Sequence, residues 1–594
     1  MFLFGVAKYL FSALALAVVL SMMASYVVAM TIIPIYCGRF LSVEEARAEE
    51  HGTGHGIFAP FIRSYERFAI RYERMLTRAL DHKMIVLAAV GLLFVGTMAM
   101  YPLIGTQLFP RTDAGQFMIN IRAPLGSRIE LTEQLTAELE GIIREVIPPE
   151  DLSMVVSNLG LAPGFSAIYS SNAASDSGVV MVSLKPDHKR SSFYYERRLK
   201  EVLPTRLPQV KTFFQSGSII DAVLNFGMAA PIDIQLSGSD YKTLFAVARQ
   251  VQGKVRSLPE VAETLIPEES GYPTLNIKVD RMKAGRLGLS QKDVVTNVIT
   301  ALTSNMMIAP SIWVDPKSGN DYFLTVQYPE SDINSLETVR NIPVRRANLN
   351  RGHENALLLR NVATIVHEQY PAEADHYNIQ RVVDVLVAPR GEDMGGTQKA
   401  IVAALRQQKL PPEVSYSVRG SVSAMESSFK SFGFGLTMAV ILLYLVLVAQ
   451  FRSFLDPVII MLAVPMGLIG VVWVLLATGT TLNIESFMGI IVMVGIVVSN
   501  SILLVDFANH RRREGQELRP AVVEAARIRM RPIVMTALAT VAGLMPIALK
   551  LGAGSEASAP LARAAVGGLA VSTVLTLILV PAIYELFYSW RASS

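Results

Sequence analysis

Cysteine is nearly missing from this 594-residue chain: Cys37 stands alone. That excludes an internal disulfide and a four-cysteine metal site, and it leaves the redox compartment open. Charge is scarce too, with Asp, Glu, Lys and Arg at 18% of residues and a net charge of +4. The small excess lies in short loops beside apolar runs, which is topology information and no nucleic-acid footprint. The sequence has no phosphate-binding loop, nucleophile elbow, H-E-x-x-H or C-x-x-C arrangement, so it offers neither an ATP site nor an enzyme's machinery, and no cofactor is expected. His51 and His55 form an H-x-x-x-H pair in glycine-rich surroundings without a completing carboxylate. They read as a polar loop, and no metal site is expected.

What the chain has in abundance is apolar sequence, 51% by residue. A mixed membrane and non-membrane architecture follows. Seven runs are long enough to span a bilayer: about 10–33, 84–104, 432–449, 457–477, 487–505, 533–551 and 566–588. The connection 34–83 holds eight Lys and Arg, and 506–532 holds seven, whereas 478–486 has none and 552–565 only Arg563. All basic loops therefore fall on one side, the cytoplasm, and the long segment 105–431 falls on the other. In a Gram-negative cell that side is the periplasm. Met1 then starts outside, with no cleavable signal before the first span. This reads as the back portion of a longer permease.

The stretch 487–536 organises the rest. Its first apolar run contains one polar break, Ser499-Asn500-Ser501, and ends at Asp506; a second run follows the arginine-rich turn. Polarity at mid-bilayer depth is costly unless it faces protein. Residues 57–80 form an amphipathic pattern, with Ile57, Phe58, Phe61, Ile62, Phe68, Tyr72, Met75 and Leu76 opposite Arg63, Arg67, Arg71, Arg74 and Arg78. The expectation is a helix lying on the cytoplasmic membrane surface; a buried helix of a soluble domain would show the same pattern.

The segment 105–431 repeats an order of elements. Strand 117–122 leads into a helix opened by a capping box, Ser127 with Glu130, and ended by Pro148-Pro149. Strands at 152–157 and 179–184, a helix at 192–203 and a strand at 210–214 complete βαββαβ, the split βαβ or ferredoxin-like pattern. A second unit follows: strand 232–236, helix 240–258, strands 274–280 and 382–387, helix 396–410 and strand 414–418. It is interrupted by an insertion at about 281–375 with its own helix (291–303) and strands (322–327, 363–367). The fold class is thus a multi-span α-helical membrane protein with a large α+β periplasmic domain.

Four stretches carry a resemblance: AQFRSFLDPVIIMLAVPMGLIG (449–470), VGIVVSNSILLVDFANHRRREG (494–515), ARIRMRPIVMTALATVAGLMPIAL (526–549) and VGGLAVSTVLTLILVP (566–581). LFPRTDAGQF (108–117) and AGRLGLS (284–290) add to it. In this order the chain resembles the C-terminal half of a resistance-nodulation-division (RND) efflux permease of the acriflavine-resistance type, an inner-membrane transporter. The resemblance implies a first span (1–33), a cytoplasmic loop (34–83), a second span (84–104), two porter subdomains (105–220; 221–280 with 376–430), a docking-type insertion (281–375) and a five-span bundle (432–588). It also implies proton-driven export of apolar or amphiphilic compounds such as drugs, detergents and dyes, by antiport in a trimer. The expected partners are a periplasmic adaptor protein, an outer-membrane channel, the bilayer and the absent N-terminal half, which in the family holds the proton-carrying aspartates.

By the same likeness Ser499, Asn500, Arg529 and Thr536 are the proton-relay or coupling candidates. Ser499 occupies a place where the family often has lysine, and a hydroxyl cannot neutralise a carboxylate. Ser499, Asn500 and Thr536 read equally well as interhelical hydrogen bonders, and Arg529 as a positive-inside anchor. Phe165, Ile168 and Tyr169 fall in a glycine- and serine-rich loop (160–178) that resembles the family's substrate loop and also fits a plain surface connection. A truncated or split subunit acting only in assembly is the rival reading. Heavy-metal cation export is a minor one, since Met118, Met154, Met181 and Met228 show no site-like spacing.

Overall fold

In lipid a backbone must satisfy its own polar groups, and a helix does so within one segment. The computed structural model describes residues 6–40, 59–160, 174–225, 227–345, 356–371, 373–552 and 554–593. Among them seven helical segments are long and apolar enough to cross a membrane, one for each expected run. The chain opens with α1 (Val6–Phe40), α2 (Ala59–Asp81) and α3 (Lys83–Met100). The sheet-containing domain follows, with helices α4 to α8. The bundle then comprises α9 (Ser421–Phe451), α10 (Leu455–Met461), α11 (Val464–Ala477), α12 (Ile484–Arg513), α13 (Leu518–Ala548) and α14 (Ser555–Ser593). The fourth run is split into α10 and α11 because Pro465, in the first turn of α11, has no N–H to continue the ladder.

The bundle is built around α14, which packs against α11, α12 and α13. Glycines set the spacing. A Cβ on Gly567 would lie 2.6 Å from the Gly470 carbonyl oxygen, and one on Gly568 would lie 2.7 Å from Met493 Cγ. Without a hydrophobic drive between helices in lipid, such backbone proximity is what holds spans together. Met493, Val497, Val498, Val580 and Tyr584 fill the core between α12 and α14, while α13 leaves Met535 and Leu538 exposed.

Helix α2 differs from its expectation. Ala69, Tyr72, Leu76 and Leu80 are buried in the bundle core, and Tyr72 donates to the Leu577 carbonyl of α14 at 2.7 Å. Glu73–Arg527 (3.1 Å) and Asp81–Arg519 ion pairs tie it to α13. The helix docks on protein along one stripe, and Phe68 and Met75, expected on that same face, point outward.

The first sheet unit is β1 (Gln116–Arg122), α4 (Ile129–Val146), β2 (Leu152–Leu159), β3 (Ser177–Leu184), α5 (Ser192–Arg206) and β4 (Lys211–Ser216). Its strands run β2-β3-β1-β4, every pair antiparallel. Phe117, Ile119 and Ile121 alternate inward and meet Leu139, Ile143, Leu199 and Leu203 of both helices in one core. The expected capping box is absent. Ser127 Oγ donates instead to the Pro124 carbonyl at 2.6 Å, and Arg128 takes the N-cap position without a side-chain cap.

The second unit holds β5 (Ile232–Ser237), α6 (Tyr241–Arg256), β6 (Val261–Leu265), β13 (His376–Tyr377), β14 (Gln380–Pro389), α8 (Met394–Arg406) and β15 (Ser415–Arg419). Its strands run β13-β14-β5-β15, with β6 also paired to β14. The strand expected at 274–280 is therefore misplaced. Residues Tyr272–Val279 form β7, which pairs over its whole length with β12 (Ala363–Tyr370) in a separate two-stranded ribbon. The short β6 takes its place in the sheet, and the insertion begins with the ribbon. The insertion carries α7 (Gln291–Thr303), the hairpin β8 (Ser311–Val314) and β9 (Asp321–Leu324), the short pair β10 (Pro343–Arg345) and β11 (Leu357–Leu358), and its own core.

Sheet domain and bundle are joined by shared packing and hydrogen bonds. Ile484 and Met488, in the first turns of α12, belong to the core of the second unit. Phe487 stacks on Phe432 of α9 at 5.3 Å. The chain at 105–107 bonds both to Leu482 and, through Thr106 N–H, to Asp393 Oδ1 at 2.8 Å.

Candidate functional site

The polar break of α12 faces α13 only in part. Asn500 is buried, and its Oδ1 accepts from Thr536 Oγ1 at 3.4 Å; Thr536 also bonds the Ile533 carbonyl at 3.0 Å. Ser501 is fully buried and donates to its own helix at Val497 O, 2.9 Å away. Ser499 lies on the exposed side of the bundle, as does Thr536. Arg529 is seven residues before Thr536, about 10 Å along the helix. Its guanidinium sits over the Phe507 ring at 5.0 Å, and its Nε finds no acceptor among the described residues. Asn500 and Thr536 thus meet, while Ser499 and Arg529 stand apart from them. Phe165, Ile168 and Tyr169 lie outside the described residues, and so do His51 and His55.

A second constellation escaped sequence reading. At the end of the bundle away from the sheets, Asp456 of α10 is 3% exposed. It accepts from Tyr588 Oη at 2.8 Å and from Asn509 Nδ2 at 3.1 Å. Tyr584 donates to Asn509 Oδ1, and Arg512 lies over the Tyr588 ring at 4.2 Å while reaching Tyr584 Oη at 3.2 Å. Lys83 and Glu585 pair nearby at 3.2 Å. The available signal was Tyr584 and Tyr588 at i, i+4 on one helix face. The network fixes α10, α12 and α14 together at one level.

Between the two sheet units lies a cleft of about 580 Å³. Arg122 of β1, Phe213 of β4, Phe245 and Arg249 of α6, and Glu268 and Glu269 after β6 line it. Most of its acids are answered. Arg122 bonds Glu269 at 2.8 Å, and Glu263, also on the wall, pairs with Lys200 at 3.2 Å and accepts the Phe214 N–H at 3.0 Å. Behind the wall sit carboxylates that make no ion pair among the described residues, with Arg419 the cation that acts on Asp233 and Asp384. Asp233 of β5 is 1% exposed with neither oxygen partnered, and Glu268 is 3% exposed with Oε2 unpartnered. Burial, then repulsion from Asp384 on β14, pushes the Asp233 carboxyl up to about 8 and that of Glu268 to about 9. Asp384 is raised as well, chiefly by burial, although Gln235 donates to it at 3.1 Å. Among the described residues no three His, Cys, Asp or Glu side chains converge as a metal site would require.

The model of the AcrB/AcrD/AcrF family matches residues 1–588. The chain belongs to that family. Similar solved structures include two crystal forms of a heavy metal efflux pump. Form II has a TM-score of 0.76 at 24% identity and form I a TM-score of 0.74 at 26%; each match covers 89% of this chain and 52% of the other. This family member thus spans about half the length of those pumps. Family membership makes it a part of the RND permeases and a multi-pass membrane protein, as the resemblance implied.

Proposed function

We propose that the chain is the cleft-bearing, C-terminal portion of an inner-membrane efflux transporter, exporting small apolar or amphiphilic compounds from the periplasmic side by antiport against protons. The carrying observation is the 580 Å³ cleft between two βαββαβ units that are rooted in the bundle through α12. A pocket of that size holds a drug-sized molecule. Substrate-dependent movement of the second unit reaches α12 through Ile484 and Met488, and Asn500 lies twelve residues, about 18 Å, further along the same helix. Asn500 and Thr536 would then sense the state of the sheets, with Ser499 and Arg529 flanking them.

The driving ion is carried by another segment in this reading. Among the described spans the buried carboxylates Asp456 and Glu585 sit at the distal end and are already bonded, and mid-depth polarity is limited to amide and hydroxyl groups. Trimer formation with an adaptor and an outer-membrane channel completes the pump. Heavy-metal export is the second reading, suggested by the names of the structural relatives, and among the described residues no three His, Cys, Asp or Glu side chains converge to favour it. The test is dye accumulation in a pump-deficient cell that makes this chain alone or together with a separately encoded N-terminal half. Export only in the paired case is expected. Export by the chain alone removes the need for outside carboxylates, and export in neither case leaves the assembly-only reading.

A further inference from the structure

The strap 104–115 joins α3 to β1, and one carboxylate in it gathers hydrogen bonds from several elements. Asp113 Oδ1 accepts from Gly115 N–H at 3.0 Å and from Ser192 Oγ at 2.6 Å. Its Oδ2 accepts from Ser192 N–H at 3.0 Å and faces His188 Nε2 at 3.2 Å. The Asp113 N–H in turn donates to Glu556 Oε2, in the first turn of α14, at 3.2 Å. Asp113 thus ties the start of α5 and the turn after β3 to a helix of the bundle. The side chains of His188 and Asp113 are only 17% and 14% exposed, so water replaces little of this network.

The imidazole is the partner that can change. His188 Nδ1 lies 2.7 Å from the Lys185 carbonyl oxygen, while Nε2 points at the Asp113 carboxylate. A carbonyl and an ionised carboxylate only accept, and a neutral imidazole has a single N–H to give. Whichever tautomer it took, a ring lone pair would face an oxygen across one of the two gaps. Only the imidazolium satisfies both. The ring also lies over Gly115, where an added Cβ would stand 3.6 Å from its Cε1, so it is seated against the strap as well as bonded to it.

We propose that His188 is a proton-operated latch: charged, it fastens the strap to the first sheet unit and through Asp113 to the head of α14, and neutral, it gives up one of its two bonds. The inference goes beyond the transport reading and does not depend on it. The charged groups around the ring are Asp113 with Glu556 behind it, Asp151 in the turn before β2, and Lys185, Asp187, Lys189 and Arg190 in its own stretch. Of these, Lys189 is paired with Glu150 at 2.6 Å, and Asp151 accepts from Tyr195 Oη and Lys189 N–H. Burial disfavours charge on His188, but the Lys185 carbonyl, Asp113 and Asp151 outweigh it and hold its pKa above the ordinary histidine value. Burial also opposes the Asp113 carboxylate, and the bonds from Ser192, Gly115 and His188 outweigh that and keep it below the usual carboxylate range. Folded His188 therefore binds its proton more tightly than the unfolded chain does. The latch is complete below the ordinary value of 6.5 and is lost as pH rises through the raised one. On the proposed topology it faces the periplasm, so the outer pH sets it.

The experiment is hydrogen–deuterium exchange of the purified full chain in detergent at pH 6 and pH 9. It is read by mass spectrometry on peptides covering 111–116 and 188–196 and corrected for the intrinsic pH dependence of amide exchange. Wild-type protection of these peptides should fall about tenfold from the lower pH to the higher, the worth of one hydrogen bond between charged groups. His188→Gln should show no step. His188→Arg, which keeps the charge and several donors, should stay protected at pH 9. His376→Gln, at an exposed histidine of the second unit, should keep the wild-type step. Equal wild-type protection at the two pH values, a step that survives in His188→Gln, or a step lost in His376→Gln would overturn the proposal. Should the glutamine variant fold poorly, the wild type and His188→Arg decide alone, and a step of equal size in both counts against the latch. These readouts do not involve export, so their failure leaves the proposed function untouched.

Discussion

Replacing Gly567 by alanine tests whether close backbone contact is what assembles the bundle. The new Cβ would stand 2.6 Å from the Gly470 carbonyl oxygen and 2.6 Å from Val474 Cγ2. Ordinary carbon contacts need roughly 3.5 Å, so α14 and α11 must part by most of an ångström. Neither partner can yield: one is backbone, and the other is a β-branched side chain with a single favoured helical rotamer. Overpacking of this kind costs about 3 kcal/mol, at the upper end of the usual range. Alanine returns about 0.5–1 kcal/mol of intrinsic helix preference over glycine, leaving a net loss of about 2 kcal/mol. Gly543→Ala on α13 is the control, because a Cβ there meets nothing within 4 Å. It should gain the helix preference without the clash, so the two variants should differ by about 3 kcal/mol. Thermal unfolding in detergent, followed by tryptophan fluorescence, reads this directly. Trp473 sits on α11, bonded to Thr97 of α3 at 3.0 Å. Equal midpoints for the two alanine variants would refute the argument.

Three further outcomes follow from the same geometry. Tyr588→Phe leaves Asp456 Oδ1 without its 2.8 Å donor and should cost about 1–3 kcal/mol in the same unfolding assay, whereas Tyr588 merely filling space would make it neutral. Thr536→Val removes a long, half-exposed bond and should change stability by less than about 1 kcal/mol, so a large loss of export in the paired-half assay would reveal a coupling role. Glu268 and Asp233 make the sheet domain less stable as pH rises. Their carboxyls are raised in the folded chain, so the folded state holds protons that the unfolded state has lost above its ordinary value of 4.5 for Glu and 3.8 for Asp. Stability is full below those values and falls until pH reaches about 9 and 8 respectively. For Glu268, 2.5 pH units between 4.5 and 7 amount to about 3 kcal/mol. The unfolding midpoint of Asp233→Asn/Glu268→Gln should fall less steeply with pH than the wild type's, and parallel slopes would count against the buried charges.

The spans were legible because length and apolarity are local properties, and so was the alternation of β1. What failed depended on partners distant in sequence. Five residues, Val261–Leu265, form the sheet strand although the longer stretch Tyr272–Val279 has the stronger strand pattern; the choice is made by pairing to β14 or to β12, which no window contains. The Ser127 cap was lost to Pro124, whose carbonyl competes for the same hydroxyl. Helix α2 showed its amphipathic period, but a moment cannot say whether lipid or α14 receives the apolar stripe. The contact between Asn500 and Thr536 was legible because α12 and α13 are consecutive, whereas the Asp456 network joins α10, α12 and α14 across more than a hundred residues. Glu268 sits in an IPEES stretch that reads as a wet acidic turn, and only its fold against β14 makes it dry.

The distribution of these acids bears on how energy is coupled. A carboxyl held near neutrality can exchange a proton in the working range, while an amide or hydroxyl at mid-bundle can only orient one. In the described part of this chain the first kind is found in the sheet domain, at Asp233, Glu268 and Glu373, and the second at Asn500, Ser501 and Thr536. The two groups are connected through packed side chains, since β5 and β14 share a core with the first turns of α12. In the proposed pump a proton lost from the wall of the cleft changes the charge buried at one end of this connection, and Asn500 lies further along α12 from the other. In the proposed pump a carboxylate brought by another segment would approach the side of the bundle where Ser499 and Thr536 are exposed.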